Sequence, residues 1–438
     1  MKSWFCDEGV STVEGESVES ESDSVLQIVR SVNRRQARAI SKARVLLPVA
    51  SVALLAAACG SSASSSSSNT SAGTTQSSSS ATSSTAAGSS GSTSDLASKL
   101  KALEAVPTFK APGPPINVAK LAGKSIVVIN GDPAAAPPTQ TADGIMAAAQ
   151  VAGLKPTLLN GTGSQVAVYT QLLDQAISRK PMAIVTVAVV PSLVKTQLQA
   201  AKNAGIPVII GLQRYHSSPT GPNQLAGSLY YGFSTQPAPS EGTILAEQIA
   251  TDGPSNATIG FISSNVIPLS PQIYDALKAG LAQYCPGCKI VDTQNVDPTN
   301  WVASLGSTVS SMLAANPNMN YLIPVFDGMA PFVISALNSS GGGHNVKVIT
   351  TQGSVGAAMT AVQKGTFLSD VGTSSTWAGW VAVDQALRAG LGLPPETDPN
   401  IPVRLVTASQ LNGVNANSDS AVYGTSFEDG FKTLWGLG

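Results

Sequence analysis

Two cysteines separated by two residues are the first place where this sequence could do chemistry. Cys285 and Cys288 lie in the stretch YCPGCKIV, and a C-x-x-C pair can form a redox centre, hold a metal or close a disulfide. A redox thiol usually lies at a helix N-terminus, where the helix dipole lowers its pKa. Here Cys285 is predicted to end a helix, and the region offers few further metal ligands. The pattern favours a disulfide across a surface turn in an oxidising compartment.

Histidine is scarce, which limits other chemistry. The 438 residues include two histidines, His216 and His344, in separate predicted loops. Most zinc sites and most His-based acid–base catalysis are therefore hard to build. The sequence has no G-x-S-x-G nucleophile elbow and no P-loop. We expect a protein that is not an enzyme and that uses no cofactor and no metal.

The charge balance argues against a nucleic-acid partner. The net charge is −1, and 12% of the residues are charged. A nucleic-acid-binding surface would give a strongly positive net charge, and an acidic tail would give a strongly negative one. The length suits two domains of ordinary size, and 43% hydrophobic residues can fill a large core.

Cys59 lies where an apolar run meets a serine-rich stretch. Residues 56–58 are alanines, residues 46–55 are mostly apolar, and basic residues lie within 34–44. Basic, then apolar, then small residues are typical of a secretory signal. The stretch resembles a bacterial lipoprotein signal, with Ala56 where such signals usually carry Leu. The resemblance implies cleavage before Cys59 and lipidation of its thiol. A plain export signal or a short helix is the alternative.

An unusual acidic segment precedes this signal. Seven carboxylates fall within residues 1–29, and our hypothesis is that the true start codon lies between Val25 and Val32. We therefore assign residues 1–58 to a signal segment and residues 59–120 to the lipidated cysteine and a flexible tether. Its serine-rich part cannot bury enough apolar surface to fold and would span roughly 30–35 Å. No apolar run reaches the roughly 18 residues of a membrane span.

Short apolar strands alternate with helices from residue 124 onward. The stretch SIVVIN at 125–130 is a predicted buried strand, and residues 141–153 are a predicted helix. Strict alternation predicts parallel sheets with helices on both faces. The strands are too numerous for one sheet. We predict an α/β protein with two doubly wound parallel-sheet lobes and a ligand site at the strand C-termini.

Residues 143–214, together with ALKAGLAQYCPGCKIV, LAANPNMNYLIPVFDGMA and VKVITTQGS, carry a resemblance to a known family. They resemble type I periplasmic binding proteins of the ribose/galactose group over about residues 124–411. The resemblance implies a monomer that closes two lobes around a small solute, often a sugar, and delivers it to the permease of an ABC importer. It also implies an extracytoplasmic location, here as a membrane-anchored lipoprotein.

The same resemblance implies a three-stranded hinge. The chain should cross between the lobes near Thr235, Ser375 and Arg404. The N-terminal lobe is then predicted over residues 121–235 plus 376–403. The C-terminal lobe is predicted over residues 236–375 plus 404–438.

The resemblance also implies ligand contacts after the strand ends. Where sugar binders carry aromatic rings, Asn–Asp pairs and a second-lobe Arg, this chain has alanines and prolines, the apolar stretch VAVVPS and no Arg near residues 271–273. The candidates are Asp132, Thr139, Gln140, Arg214, Tyr215, Trp301, Phe326, Asp327, Gln352 and Trp377.

These side chains suit a ligand that is less polar than a free hexose. Gln352 is neutral and can both donate and accept, while Trp301, Phe326 and Trp377 can hold a flat or apolar face. We predict an uncharged deoxy sugar, glycoside, cyclic polyol or aromatic metabolite. Each candidate also has a structural explanation: the two tryptophans could pack within a lobe, and Asp327 could cap the helix predicted from Met329.

Two other functions fit the same fold. A ligand-sensing module would present its solute to a signalling protein, and an extracytoplasmic enzyme would need catalytic groups that this sequence lacks. A transcription regulator would carry a helix-turn-helix where this chain has the apolar run, Cys59 and polyserine.

Overall fold

The structure is a computed structural model of the chain, and it describes residues 93–162, 165–212, 229–235, 238–340 and 345–438. Several predictions lie outside these residues: the signal, the lipidation of Cys59, the start codon, and the positions of Arg214 and Tyr215. None of the helices in the described part of the chain combines the length and apolar character that a membrane span requires.

Five strands form the first sheet: β1 Ser125–Asn130, β2 Lys155–Asn160, β3 Ala183–Val187, β4 Val208–Gly211 and β5 Gly232–Ser234. All run parallel, in the spatial order β2-β1-β3-β4-β5. The four apolar residues 126–129 of β1 are fully buried, as expected for a strand covered by helices on both faces.

Six strands form the second sheet: β6 Thr258–Ser263, β7 Lys289–Asn295, β8 Tyr321–Pro324, β9 Lys347–Gln352, β10 Ser369–Gly372 and β11 Arg404–Thr407. Their spatial order is β11-β10-β9-β8-β6-β7. β11 pairs antiparallel with β10, and the other neighbours are parallel.

Helices connect these strands as the alternation predicted. They are α1 Thr93–Leu103, α2 Ala136–Val151, α3 Val166–Ser178, α4 Lys195–Asn203, α5 Ala238–Asp252, α6 Leu269–Tyr284, α7 Gly306–Ala315, α8 Ala330–Ser339, α9 Ala357–Gln363, α10 Ser375–Gly390, α11 Asp419–Tyr423 and α12 Ser426–Leu434. A π-helical turn, Trp301–Leu305, precedes α7. Two parallel-sheet α/β lobes confirm the predicted fold class.

Helix α10 returns the chain from the second sheet to the first lobe. It packs directly on α2, because each helix presents a glycine at the contact. A Cβ on Gly144 would lie 2.6 Å from the Thr376 carbonyl oxygen, and one on Gly379 would lie 2.6 Å from the Thr141 carbonyl oxygen. Larger side chains at these two positions would force the helices apart.

Two chain segments differ from the predicted domain ranges. Residues 59–120 were predicted to form a tether, but α1 is helical and buries Leu100 in the core of the second lobe. Residues 404–438 were predicted to belong to the second lobe, but Phe427, Phe431 and Trp435 lie in the core of the first. Their spacing of four residues places them on one helix face, which explains this burial.

The two neighbouring cysteines are joined in the structure. Cys285 follows the last residue of α6, Cys288 precedes β7, and a disulfide links them with their Cα atoms 5.4 Å apart. The bond closes the turn between the helix and the strand. Cys285 is buried at this turn.

Candidate functional site

A cleft opens between the two lobes at the carboxyl ends of their strands. A cavity of about 220 Å³ is lined from the first lobe by residues that follow β1, β3 and β4: Asp132, Ala188 and Leu212. Phe326, which follows β8, and Gln352, which ends β9, line it from the second lobe. This is the edge at which open α/β sheets bind ligands.

A second cavity, of about 640 Å³, continues the cleft. It shares Asp132, Thr299 and Trp301 with the first and adds Asp327 and Ser354. Because the two cavities share their walls, they form one continuous cleft. We call it the interlobe cleft.

Aromatic and aliphatic side chains make most of its wall. Trp301 begins the π-helical turn, and its indole N–H donates to the Val296 carbonyl oxygen at 2.9 Å, so that its ring presents an apolar face. A Cβ on Gly328 would lie 3.3 Å from this ring, which explains the small residue there. Phe326 lines the same cavity, and Tyr169 on α3 lines it from the other lobe. Rings in this arrangement can hold a flat or apolar ligand face.

The loop after β1 is held by Asn130. Its side-chain oxygen accepts from the Asp132 N–H at 3.1 Å, and its amide donates to the Thr139 hydroxyl at 3.3 Å. Thr139 in turn donates to the Pro133 carbonyl oxygen at 3.1 Å. Asp132 therefore faces the cleft, whereas Thr139 lies behind the loop and does not line either cavity.

Gln140 connects the lobes instead of lining the cavities. Its side-chain amide donates to the Val355 carbonyl oxygen at 2.8 Å, although the two residues belong to different lobes. The prediction that Gln140 lies in the ligand cavity therefore differs from its position in the structure. A glutamine in the first turns of α2 is long enough to reach across the cleft.

Asp327 lines the second cavity and is itself buried. Its Oδ2 accepts from the Ser354 N–H at 2.7 Å and from the Ser354 hydroxyl. Burial raises its pKa to about 7, although the bonds from Ser354 oppose this shift. The carboxyl group thus joins the end of β8 to the turn after β9.

Gln352 ends β9 in an unusual backbone conformation. Its φ is +98°, which residues other than glycine rarely adopt, and Gly353 follows with φ +77°. Its carbonyl oxygen accepts from the Thr373 N–H at 3.0 Å. The strained residue lines the cleft, where such strain is often found.

Trp377 was predicted to contact the ligand, and the structure places it elsewhere. It is 1% exposed, and its ring lies 4.9 Å from Phe427 and 6.1 Å from Phe109, centroid to centroid. It is a core residue of the first lobe. The partners that bury it come from the two ends of the folded part, which explains why its neighbours in sequence did not indicate this.

Sequence reasoning also missed several lining residues. Tyr169, Val266, Ile267 and Thr299 line the first cavity, and Ser354 lines the second. Their residue types are common in any core or loop. The one available signal was position, since 266, 267 and 354 lie within four residues of the ends of β6 and β9.

The charges that line the cleft are negative. Asp132, Asp297 and Asp327 line its two cavities, and no lysine or arginine lines them among the described residues. In the same part of the chain, no group of three His, Cys, Asp or Glu side chains could hold a metal ion. The cleft can therefore accept hydrogen bonds at a few points and pack apolar surface elsewhere.

The comparison with known proteins decides the family. A family model described as a periplasmic binding protein domain matches residues 110–392, more than half of the chain. The chain belongs to this family. The predicted resemblance is thereby confirmed. The match ends shortly after α10, so that β11, α11 and α12 lie outside it.

Solved structures of ABC transporter solute-binding proteins share the fold. An ABC sugar transporter subunit from Rhodobacter sphaeroides is 20% identical, with a TM-score of 0.56, over 66% of this chain and 99% of that one. An ABC transporter solute-binding protein from Agrobacterium vitis, bound with alpha-D-tagatopyranose, is 18% identical, with a TM-score of 0.59, over 66% and 96%. A 5-methylthioribose transporter solute-binding protein from Thermotoga lettingae is 16% identical, with a TM-score of 0.61, over 74% and 100%.

Identities this low show the fold of the periplasmic binding protein and no more. No protein with curated annotation matches the sequence. Membership of the family implies a binding domain rather than an enzyme and a location outside the cytoplasm.

Proposed function

We propose that this protein captures a small neutral solute, a sugar or a sugar-like compound, between its two lobes and delivers it to the permease of an ABC transporter. It does so as a monomer held at the outer face of the cell membrane by a lipid on Cys59. The observation that carries the proposal is the interlobe cleft at the strand ends of a periplasmic binding protein domain.

The cleft chemistry supports a neutral ligand. An anionic solute would meet Asp132, Asp297 and Asp327 without a lysine or arginine among the described lining residues. Hydroxyl groups can donate to these carboxylates, and Gln352 can donate or accept. Trp301, Phe326 and Tyr169 favour a ligand with one apolar or flat face.

The proteins of similar fold support transport. They include ABC transporter solute-binding proteins bound to tagatopyranose, D-arabinose and 5-methylthioribose. An extracytoplasmic location would also suit the Cys285–Cys288 disulfide.

A non-sugar ligand is a second candidate. The aromatic walls would suit an apolar or aromatic metabolite as well as a substituted sugar. A signalling protein is the second candidate for the partner, because a sensor module would use the same closure. A permease and ATPase gene beside this one would favour the importer, whereas a histidine kinase gene would favour the sensor.

A thermal-shift screen tests the ligand class. The soluble part from Asp95 onward is mixed separately with D-glucose, D-arabinose, D-tagatose, 5-methylthioribose, phenyl glycosides and aromatic metabolites. A ligand that binds the native state alone stabilises it by about 4 kcal/mol at a thousandfold excess over its Kd. We expect the largest rise in melting temperature with the less hydroxylated compounds.

The opposite ranking would contradict the proposal. A rise with D-glucose or D-tagatose that exceeds every less polar compound would mean that unsubstituted sugars fill the cleft. A rise with anionic compounds alone, such as sugar phosphates, would contradict the neutral ligand.

A further inference from the structure

The turn that carries Gln352 into the cleft needs outside support. Gln352 and Gly353 both have positive φ, and such a conformation in a glutamine persists only where the surrounding structure holds it. The turn comprises Gln352, Gly353 and Ser354, and we call it the β9 turn. A small change in its backbone would redirect the Gln352 side chain, since this side chain lines the cleft.

Three buried side chains hold the β9 turn. Asp327 accepts from the Ser354 N–H, as described above, and Asp370 Oδ1 accepts from the Gly353 N–H at 3.0 Å. On the opposite side, the Tyr423 hydroxyl donates to the Gly353 carbonyl oxygen at 2.7 Å. The two carboxyl groups hold N–H groups, whereas Tyr423 is the group that holds the Gly353 carbonyl.

Tyr423 approaches this turn closely. A Cβ on Gly353 would lie 2.2 Å from the Tyr423 hydroxyl oxygen, so that only glycine allows the contact. The tyrosine side chain is fully buried in the core of the second lobe. Its position relative to the turn is therefore set by packing as well as by one hydrogen bond.

Tyr423 comes from a segment that the family match does not include. The match ends at residue 392, and Tyr423 is the last residue of α11. Three residues later α12 begins, and Phe427 is buried in the first lobe. One short segment thus contacts the β9 turn in the second lobe and anchors in the first.

Burial alone does not explain this hydroxyl. Tyr321 on β8 is equally buried in the same core, and its hydroxyl has no hydrogen-bond partner among the described residues. A buried tyrosine in this lobe can therefore serve for packing alone. Tyr423 differs from Tyr321 because its hydroxyl donates a hydrogen bond to the Gly353 carbonyl oxygen.

We propose that Tyr423 is a positioning residue for solute binding, whose hydroxyl holds the β9 turn so that Gln352 faces the interlobe cleft. This inference rests on the proposed function, because it assumes that the cleft binds the solute. It adds to that function a residue of the C-terminal segment that does not itself line the cleft.

Hydrogen exchange tests the turn without any ligand. Tyr423→Phe removes one oxygen and keeps the ring, and Tyr321→Phe is its matched control. In the ligand-free protein, we expect the Gly353 and Ser354 amides to exchange about three- to tenfold faster in Tyr423→Phe, as one hydrogen bond is lost. Tyr321→Phe should exchange like the wild type. If the Gly353 and Ser354 amides exchanged at the same rate in Tyr423→Phe and Tyr321→Phe, the proposal would be overturned.

Selective labelling tests the side chain. The Gln352 side-chain amide resonance is assigned in a ¹⁵N-glutamine sample as the signal that disappears in Gln352→Glu. We expect it to move in Tyr423→Phe and to stay in place in Tyr321→Phe. A merely structural tyrosine would leave this resonance unchanged in both variants.

Binding separates this inference from the function on which it rests. With 5-methylthioribose and D-arabinose as probes, we expect Tyr423→Phe to raise Kd about three- to tenfold. If neither these probes nor the rest of the screen binds the wild type, the proposed function fails, while the exchange experiment still decides the turn. If a probe binds wild type and Tyr423→Phe equally, the positioning role fails and the function stands.

Discussion

The acceptors and donors of the cleft are few, so single residues decide its preference. Gln352 is the neutral group at the end of β9, where the related sugar binders usually carry a carboxylate according to the resemblance. Asp132 and Asp327 reach the cleft from opposite lobes. The carboxylates oppose an anionic solute, which is consistent with the neutral one proposed above.

A charge at Gln352 should weaken binding of a neutral solute. Gln352→Glu adds a carboxylate and removes both amide donors, so a ligand acceptor loses its partner at a cost of about 1–3 kcal/mol. We expect Kd for the best compound of the screen to rise about tenfold or more by isothermal calorimetry. Gln171→Glu, on the exposed face of α3, is the control and should leave Kd unchanged. A tighter complex in Gln352→Glu would contradict the role given to this amide.

Buried carboxyl groups should make stability depend on pH. Burial raises the pKa of Asp327 to about 7 from an ordinary value near 3.8. Glu241 and Asp370 are also raised by burial, and the nearby carboxylates raise them further. Between about pH 4 and pH 7, the Asp327 carboxyl group therefore binds more protons in the folded state than in the unfolded state. The contribution of Asp327 to the free energy of unfolding should therefore be largest below about pH 4 and fall as the pH rises to about 7.

Asp327→Asn isolates this contribution. The variant keeps a side chain of the same shape but cannot ionise, so the free energy of unfolding should decline less steeply between pH 4 and pH 7. Urea unfolding at several pH values measures the slope. A slope equal to that of the wild type would show that Asp327 does not titrate in this window.

Among the elements, α10 and α12 share an aromatic core in the first lobe. On α10, Trp377 stacks on Phe427 and Trp380 stacks on Trp435, while Phe431 packs at a tilt against Trp380. The Trp435 indole N–H also donates to Asp384 Oδ1 at 2.9 Å. The C-terminal helix α12 therefore completes the core of the first lobe.

Trp377→Ala should affect stability rather than binding. Truncation of a fully buried tryptophan costs about 3–5 kcal/mol, because it removes contacts and leaves a cavity. Denaturant unfolding should show this loss, while Kd for the best compound stays within about twofold. Trp301→Ala, which removes the half-exposed wall of the cleft, should weaken binding and cost less stability. If Trp377→Ala weakened binding while Trp301→Ala left Kd unchanged, Trp377 rather than Trp301 would be assigned to the ligand site.

The whole molecule combines a folded binding unit with a predicted membrane anchor. Under the proposed function, the two lobes would open and close around the solute by hinge motion. The anchor requires Cys59, which lies outside the described residues. Lipid attachment and solute binding belong to the same proposed function, since the anchor would hold the receptor at the membrane that contains its permease.

Replacement of Cys59 should release the protein from the membrane. Diacylglycerol plus an amide-linked chain anchors stably, because two or more chains are needed for lasting attachment. Cys59→Ser should abolish incorporation of radiolabelled palmitate and shift the protein to the soluble fraction. Ser66→Ala, in the serine-rich stretch after Cys59, is the control and should change neither. Membrane retention of Cys59→Ser would contradict lipidation at this residue.

Local sequence patterns predicted most of the fold. β1 was predicted with its exact bounds, and the order of strands and helices followed from apolar runs of four to eight residues between turn signals. Helix starts were less accurate: α2 begins five residues before its prediction, because Pro137 and Pro138 are compatible with a first helical turn.

The sequence by itself predicted two parallel-sheet lobes, because short apolar strands alternating with helices follow from short-range periodicity. The family rested on a resemblance over residues 124–411, and the expected ligand edge on strand direction. Only the tertiary structure decided between the two tryptophans at helix starts. Trp301 lines the cleft and Trp377 lies in a core, since the side chains that cover Trp377 come from positions 109 and 427. The sequence of α12 likewise shows an apolar face but not which lobe buries it. The structure places that face in the core of the first lobe. Contacts between distant residues carry no signal in any local window of a single sequence.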